Sequence, residues 1–351
     1  MTTRDLVVIG ASAGGVEALR ELLAGLPEDL PAAVLVTLHI PSSGRSALAA
    51  VLGRVSALPV RSAEDGMPLT PGTVTVAVPD RHLLVVDGHL SLSRGPRENG
   101  HRPAVDVLFR SAARARGPRV VSLVLSGALD DGTAGTIAVR ARGGVGLAQD
   151  PEEALYASMP LHAAEIGGAD HVVPLAGMPA LLDRLTREAV DAADVLPPTD
   201  LMTTETEMAQ LDPGAMDADE RPGTPSGFGC PSCHGSLFSI TEGGMERYRC
   251  RVGHAWSPEA LAAEQAQALE GALWMALRGL EERAALSLRM GERAVANGHR
   301  HSATAFRRRH DEALRAAGLL RGMLERGTLD GGDVPDDADD VLGDPADRQG
   351  A

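Results

Sequence analysis

The sequence LVVIGASAGG at residues 6–15 begins as an apolar run and ends in a glycine-rich turn. The first five residues are nearly all apolar, which is typical of a strand covered on both faces in a parallel sheet. Glycine permits a tight turn after such a strand, and Val16–Leu26 then follows with helical spacing of its apolar residues. This stretch therefore predicts a strand, a turn and a helix, which is the first half of a βαβ unit.

The same alternation continues to about residue 190. Its further apolar runs and helical segments are, in chain order, 32–38, Ala104–Arg116, 120–125 and Thr133–Arg142. Strands that alternate with helices of this length predict an α/β fold with a doubly wound, mostly parallel sheet. Residues 60–94 instead contain short β-rich pieces separated by turn dipeptides such as Asp87-Gly88, so we expect an antiparallel hairpin there.

The chain has 351 residues, and most of its net charge of −15 falls in two stretches. Residues 197–227 hold seven acids and one base, and residues 327–351 hold eight aspartates and one arginine. Both lack periodic apolar residues, which predicts disorder. We expect an α/β domain at 1–190, an acidic disordered linker at 191–227, a zinc-ribbon-like segment at 228–256, a helical hairpin at 257–326 and an acidic disordered tail at 327–351.

Composition excludes several classes of protein. The first strand starts too close to Met1 for a signal peptide, and three cysteines cannot form an even disulfide framework, so a cytoplasmic location is expected. No run approaches the ~18 apolar residues of a membrane span, so direct membrane insertion is not expected. Aromatic residues make up only 2% of the chain, which argues against base-stacking modules and a nucleic-acid partner.

Three polar positions follow three predicted parallel strands: Ser12, His39, and either Asp130 or Asp131. The carboxyl ends of parallel strands meet at one edge of the sheet, where ligands bind. A serine, a histidine and an aspartate brought together there would supply a nucleophile, a general base and a group that orients the base. Backbone N–H groups at the start of the following helix would stabilise an oxyanion.

Each residue also has a simpler interpretation. Ser12 would cap the helix that begins near Gly14, His39 would be structural, and the aspartates would be turn residues. The glycine-rich turn would also suit a dinucleotide-binding domain. Two features weaken that alternative, because the glycines do not match GxGxxG and His39 stands where the ribose-binding acid is expected.

A longer set of motifs resembles the catalytic domain of the chemotaxis protein-glutamate methylesterase (CheB-like) family over about residues 5–185. In order, the motifs are GASAGG at 10–15, HIP at 39–41, AEDG at 63–66, Pro71-Gly72, HRPAVDVLF at 101–109, SGALDDGTAG at 126–135, AQD at 148–150, Met159-Pro160 and Gly167-Gly168. The resemblance implies hydrolysis of glutamate γ-methyl esters on chemoreceptors with release of methanol, and in some members deamidation of glutamine. It implies no cofactor for catalysis.

The resemblance places the family's nucleophile on Ser12, its histidine on His39 and its aspartate on Asp131. Family members usually read TGMGNDG around the aspartate, whereas here Ala128 replaces the methionine and Asp130 adds a second carboxylate. Typical members also carry a receiver domain, which we expect to be absent because Met1 lies so close to the first strand. A methylated chemoreceptor or another methylated signalling protein is the expected partner. The alternative is a non-catalytic adaptor that binds receptor tails through the α/β domain and a C-terminal module made of the zinc-ribbon-like segment and the helical hairpin.

All three cysteines fall in one motif. Cys230-x2-Cys233 is followed, after sixteen residues, by Cys250-x3-His254, which is the spacing of a Cys3His zinc site. Four protein ligands leave no open coordination position, so the expected zinc is structural. A redox-active thiol pair is the alternative, although it leaves Cys250 and His254 unexplained. His234 is a substitute ligand with poorer spacing.

Ser257-Pro258-Glu259 predicts the start of a long helix, with serine at the N-cap and proline at the first helical position. Leucines at helical spacing continue to about Ala296, Asn297-Gly298 interrupts the helix, and Ala303–Arg326 resumes it. The pattern predicts a helical hairpin. Its apolar stripe is interpreted as core or as the seam of a homodimer, and the whole C-terminal module is expected to dock partners or to regulate the α/β domain.

Overall fold

The structure is a computed structural model that describes residues 2–42, 46–190, 197–217 and 223–326. The described residues fall into two compact units, one within 1–261 and the other within 262–351. The disordered tail expected at 327–351 lies outside the described residues. Within these residues, no helix combines the length and the hydropathy of a transmembrane span.

The first unit is built on a parallel sheet of seven strands. Its α/β part contains the strands β1 (Thr2–Thr3), β2 (Leu6–Ala11), β3 (Ala33–Leu38), β4 (Val60–Ser62), β5 (Val74–Val76), β6 (His82–Val86), β7 (His89–Ser93), β8 (Val120–Val124), β9 (Val145–Gln149), β10 (His171–Val173) and β11 (Ala189–Val190). Its helices are α1 (Gly15–Gly25), α2 (Leu48–Gly53), α3 (Val105–Arg116), α4 (Thr133–Ala141), α5 (Ser158–Glu165) and α6 (Met178–Arg187).

The strand order of the sheet is β10-β9-β8-β2-β3-β5-β4, and every neighbouring pair is parallel. The chain first builds outward from β2 through β3 and then returns to build outward from β8 on the other side. The reversal between β2 and β8 is the switch point at which α/β sheets bind ligands. The predicted doubly wound, mostly parallel sheet is therefore confirmed.

Both faces of the sheet are covered by helices. Val7 and Ile9 of β2 pack with residues of α1 and α6 on one face, while Leu6 and Val8 pack with residues of α3 on the other. Because side chains alternate between the two faces and both faces are buried, the strand has to be apolar at every position. This explains the continuous apolar run from which the strand was predicted.

The antiparallel hairpin is shorter than residues 60–94. β6 and β7 form the hairpin, and Asp87 and Gly88 turn it with φ values of 47° and 80°. β4 and β5 instead extend the parallel sheet. Val74 and Val76 are almost fully buried, so β5 is a strand covered on both faces. The turn residues around it led to the expectation of a hairpin instead.

The stretch expected to be a disordered linker at 191–227 contains two helices where the structure describes it, α7 (Asp200–Ala209) and α8 (Pro213–Asp217). The Oγ1 atom of Thr199 accepts a hydrogen bond from the Met202 N–H at 3.1 Å and caps α7. Met202, Glu205 and Met208 are buried. The expectation of disorder fails here because Glu205 is neutralised by arginines from distant parts of the chain, which local composition does not show.

A small antiparallel sheet follows and belongs to the same compact unit as the parallel sheet. Its strands, in spatial order, are β12 (Thr224–Gly229), β13 (Ser236–Glu242), β14 (Met245–Cys250) and β15 (Ala255–Trp256). Leu237 and Trp256 are its most deeply buried apolar residues and pack with Cys230 and Cys250. We call residues 224–256 the cysteine sheet.

Two long helices follow the cysteine sheet, α9 (Pro258–Ala296) and α10 (Arg300–Glu325). The predicted interruption lies between them, with Gly298 at a φ of 75°. His310 Nδ1 lies 2.9 Å from the carbonyl oxygen of Ala284, and Ala284, Ala313 and Ala317 are buried. Small side chains let the two helices approach closely, as the predicted helical hairpin requires.

Candidate active site

Ser12 lies in the turn between β2 and α1, at the switch point of the sheet. Its N–H donates to the Ser126 carbonyl at 3.0 Å, which ties the turn to the end of β8. Gly14, and not Ser12, is the N-cap residue of α1, with a φ of 69° and no side-chain cap. The structure therefore does not support the simpler interpretation of Ser12 as a helix cap.

His39 follows β3 and lies between the other two predicted residues. Its Nδ1 is 3.1 Å from Ser12 Oγ, and its Nε2 is 2.8 Å from Asp131 Oδ2. With the proton on Nε2, the ring donates to Asp131 and accepts from the Ser12 hydroxyl. The two nitrogens exchange the roles that they have in the chymotrypsin arrangement, but each still faces the partner that a triad requires.

Asp131 lies at the N-terminus of α3 and accepts four hydrogen bonds. Besides His39, the N–H groups of Val105 (2.7 Å) and Asp106 (3.1 Å) and the Asn99 carboxamide (3.2 Å) donate to it. Burial acts to raise the pKa of Asp131, but the hydrogen bond and charge of His39 and the Val105 N–H outweigh it and hold that pKa below its usual range. The carboxylate is therefore ionised beside the imidazole.

Asp130, the second carboxylate, is directed to a different partner. Its Oδ1 accepts a hydrogen bond of 2.6 Å from the Ser257 hydroxyl, at the end of the cysteine sheet. Burial raises the pKa of Asp130 to about 7. The geometry thus separates the two neighbouring aspartates: Asp131 contacts His39, and Asp130 contacts Ser257.

Three further residues shape the site without having been predicted as site residues. The ring of His101 stacks on that of His39, with centroids 3.6 Å apart and an angle of 12° between the planes. Asn99 donates from Nδ2 to both Asp131 and Asp106. Burial, followed by the charge of Asp131, raises the pKa of Asp106 well above its usual value. The HRPAVDVLF motif contained His101 and Asp106, but nothing in it indicated these contacts.

Close packing holds the nucleophile turn in place. A Cβ atom at Gly127 would lie 2.9 Å from the Cβ of Ser12 and would collide with the side chain of Met159. A Cβ atom at Gly10 would collide with Val105, at the start of α3. In the described part of the chain, the N–H groups of Ala13 and Gly14, the two residues after Ser12, have no hydrogen-bond partner.

A second cluster lies in the cysteine sheet, at Cys230, Cys233, Cys250 and His254. One ligand atom from each residue lies within 4.8 Å of the others. The Sγ atoms of Cys233 and Cys250 are 3.6 Å apart, as are Cys250 Sγ and His254 Nδ1. A tetrahedron with metal–sulfur bonds of ~2.3 Å has edges of about 3.7 Å, so the cluster could hold a metal ion. His234 is exposed and lies outside the cluster.

A parallel α/β sheet with hydrogen-bonded Ser12, His39 and Asp131 at its switch point is the architecture of a serine hydrolase. Residues 7–182 match the family model described as CheB methylesterase. Because this match covers half of the chain, the protein belongs to the CheB methylesterase family. The predicted resemblance is confirmed, and the dinucleotide-binding alternative is not supported.

Curated relatives of the chain are named as methylesterases. The chain is 42% identical over 190 residues to protein-glutamate methylesterase/protein-glutamine glutaminase 5 of Anaeromyxobacter dehalogenans, covering 53% of this chain and 52% of that protein. It is 44% identical over 188 residues to the protein of the same name from Myxococcus xanthus, covering 52% of this chain and 54% of that protein. The chain thus spans about half the length of the curated relatives it matches.

A solved structure is similar as well. The CheB methylesterase catalytic domain of Thermotoga maritima is 34% identical in sequence and superposes with a TM-score of 0.50, covering 52% of this chain and all of that domain. The cysteine sheet and the helical hairpin lie beyond the residues matched by the family model.

Proposed function

We propose that the protein is a protein-glutamate methylesterase that hydrolyses γ-methyl esters of glutamate on a methylated chemoreceptor or another methylated signalling protein. The observation that carries this proposal is the chain of hydrogen bonds from Ser12 to His39 (3.1 Å) and from His39 to Asp131 (2.8 Å). The names of the relatives, which are methylesterases and glutaminases, support the same substrate chemistry.

In the first half-reaction, Ser12 Oγ attacks the ester carbonyl while His39 Nδ1 accepts the hydroxyl proton. Asp131 stabilises the imidazolium and remains ionised. The N–H groups of Ala13 and Gly14 stabilise the oxyanion of the tetrahedral intermediate, a contribution typically worth about 2.7–4 kcal/mol per donor. The imidazolium then protonates the leaving methoxide, and methanol departs from the acyl-enzyme.

In the second half-reaction, water takes the place of the serine hydroxyl. His39 accepts a proton from the water, the hydroxide attacks the acyl carbonyl, and Ser12 Oγ leaves with the proton returned by His39. The products are glutamate and the free enzyme. A glutamine substrate follows the same route with ammonia as the leaving group, so protein-glutamine deamidation is a side activity of this site.

A fluorophosphonate probe tests whether Ser12 is a nucleophile. Wild type should be labelled covalently on Ser12, and labelling should disappear in Ser12→Ala and fall by more than about 10³-fold in His39→Ala. Ser122→Ala is a matched control, because Ser122 is a buried serine of β8 whose hydroxyl contacts the Val145 carbonyl. A folded wild type that is not labelled would favour the non-catalytic adaptor that binds receptor tails.

We infer that Cys230, Cys233, Cys250 and His254 bind a structural zinc ion. The four ligand atoms lie within 4.8 Å of one another, which supports zinc, and four protein ligands leave no position for substrate. Purified protein should contain one zinc per chain, and each ligand→Ser or ligand→Ala variant should lose it. A wild type that binds no zinc under reducing conditions would contradict this assignment. Cysteine thiols are kept reduced in the cytosol, so the proposed thiolate ligands support a cytoplasmic location.

We further infer that the helical hairpin forms a homodimer. Trp274, Leu286 and Leu319 are between 52% and 73% exposed within the second unit, and such side chains would be covered in a seam between two copies. Light scattering should give twice the chain mass for the wild type and the chain mass for a Leu286→Arg, Leu319→Arg double variant. A monomeric wild type would contradict the inference.

A further inference from the structure

The cysteine sheet is joined to the α/β part of the first unit by backbone pairing. Ala255 in β15 forms a parallel bridge with Glu98. The Asn99 N–H donates to the Ala255 carbonyl at 2.8 Å, and the Ala255 N–H donates to the Arg97 carbonyl at 3.3 Å. These bonds fix the register between β15 and the segment just before His101.

Buried ion pairs strengthen the same contact. Arg249 reaches Glu98 at 2.9 Å and Glu205 at 2.9 Å, and Arg247 reaches Glu205 at 3.0 Å. Arg110 of α3 reaches Glu98 at 2.7 Å, and all five side chains are at most 6% exposed. Buried charges are costly unless every partner is in place, so this network specifies one position of the cysteine sheet.

Ser257, which follows the cysteine sheet, is hydrogen-bonded to two residues beside the triad. Its N–H donates to Asn99 Oδ1 at 2.9 Å, and its hydroxyl donates to Asp130 Oδ1 at 2.6 Å. The same hydroxyl accepts from the Ala260 N–H at 3.0 Å and so caps α9. Ser257 is 2% exposed, and both its N–H and its hydroxyl are engaged.

The Asn99 side chain connects Ser257 to Asp131 of the triad. Because Ser257 holds its Oδ1, the Nδ2 of the carboxamide is left to donate to Asp131 Oδ1 at 3.2 Å and to Asp106 Oδ2 at 3.1 Å. Asn99 has a φ of 50°, a conformation that asparagine tolerates better than most residues. The orientation of one side chain therefore depends on Ser257 on one side and supports Asp131 on the other.

Two residues of the Cys3His cluster lie just before Ser257. The Cys250 N–H donates to the His254 carbonyl at 3.0 Å, and the Gly253 N–H donates to the Cys250 carbonyl at 2.9 Å. A metal ion bound by Cys250 and His254 would close this turn and fix the start of β15. In small modules of this kind, metal binding supplies much of the folding free energy.

We propose that the metal ion at the Cys3His cluster keeps Ser257 in place and, through Asn99, positions Asp131 for catalysis, so that esterase activity requires the metal although the metal takes no part in the reaction. Asn99 and Ser257 are then positioning residues. The inference rests on the proposed esterase function. Loss of such support displaces a catalytic group by a fraction of an ångström or more, which typically lowers the rate by about 10- to 100-fold.

The test compares the full-length chain loaded with Zn²⁺ and the same chain after metal removal with a chelator. Fluorophosphonate labelling of Ser12 gives the maximal inactivation rate, kinact, and the inhibitor constant, KI. We expect kinact to fall by about 10-fold or more on metal removal with KI changed by less than about threefold, and added Zn²⁺ to restore it. Equal kinact with and without metal, in protein that remains folded, would overturn the inference.

An Asn99→Gly variant keeps the test decisive if the metal-free chain unfolds. Glycine accepts the φ of 50° but lacks the carboxamide, so the zinc-loaded variant should bind one zinc and still lose kinact by about 10-fold or more. His234→Asn is the matched control, since His234 lies beside Cys233 but outside the cluster, and it should keep both zinc and rate. Wild-type kinact in Asn99→Gly would overturn the inference, whereas no labelling of zinc-loaded wild type would reject the esterase proposal itself.

Discussion

The imidazole rings of His39 and His101 are stacked face to face, 3.6 Å apart and 12° from parallel. Burial, followed by the charge of His39, lowers the pKa of His101 to about 3, so His101 is neutral at the pH at which an esterase works. A neutral ring in this position limits the rotation of His39 and does not oppose the positive charge that develops on it.

His101→Ala should therefore lower the rate of fluorophosphonate labelling by about 2- to 10-fold, since stacked aromatic pairs are worth about 0.5–1.5 kcal/mol. His101→Phe retains a ring and should recover most of the lost rate. Labelling kinetics and the thermal midpoint should be measured together for both variants. Equal rates in wild type and His101→Ala would show that the stack has no role in orienting His39.

Substitutions of the adjacent residues Asp130 and Asp131 should have clearly different effects on the rate. Asp131→Asn replaces an acceptor of four hydrogen bonds by a group that must also donate, and the loss of rate should be about 10³- to 10⁴-fold. Asp130→Asn keeps the oxygen that accepts from Ser257 and should lose less than about 10-fold. Steady-state turnover of both variants decides the assignment, and a larger loss in Asp130→Asn would reverse it.

Removal of one charge from the buried ion pairs that join Glu98 and Glu205 to three arginines should destabilise the first unit. Glu205→Gln leaves Arg247 and Arg249 with too little compensating charge, which should lower the free energy of unfolding by about 3–5 kcal/mol. Glu207→Gln is the matched control on the same helix. Its pair with Arg114 is partly exposed, so it should cost less than about 1 kcal/mol. Urea titration of both variants tests this, and similar losses in the two would contradict it.

Stability should depend on pH through His82, which is fully buried between the Pro96 carbonyl and the Ala104 N–H. Burial lowers the pKa of His82 to about 4, although the charge of Glu98 acts in the opposite direction. The unfolded chain titrates near 6.5 at this residue. Between these pH values the unfolded state binds more protons, so this contribution to stability is complete above about pH 6.5 and is lost as the pH falls towards 4.

His82→Gln removes that dependence. The variant should be less stable than wild type at pH 7.5, and the difference should shrink by about 2 kcal/mol at pH 5. Urea titrations of both proteins at the two pH values give the difference directly. A gap that stays constant or widens on acidification would show that His82 does not titrate in this range on unfolding.

The sequence predicted the parallel sheet well, because the apolar pattern of each central strand reflects its burial in the fold. The apolar runs of β2, β3 and β8 predicted the parallel sheet, because a strand buried on both faces must be apolar throughout. The placement of Ser12, His39 and Asp131 at one edge followed from the same topology. The choice between Asp130 and Asp131 did not follow from spacing, and the resemblance to the family made it.

The contacts between distant segments were not predictable from the sequence. Glu205 belongs to a stretch with the composition of a disordered linker, and its arginine partners lie in α3 and in the cysteine sheet. Ser257 was predicted correctly as a helix N-cap, but its hydrogen bonds to Asn99 and Asp130 join residues 158 and 127 positions apart. Such pairings depend on how the two sheets dock, which no local pattern encodes.

We propose that Ser12 and His39 hydrolyse glutamate methyl esters on a protein. The most direct measurement is release of methanol from radiolabelled, methylated receptor cytoplasmic domains by wild type, Ser12→Ala and His39→Ala. We expect methanol release by the zinc-loaded wild type and a loss of more than about 10³-fold in each variant. Methanol release that persists in Ser12→Ala would contradict the proposed nucleophile. No release from a folded wild type that the fluorophosphonate labels would contradict the proposed substrate.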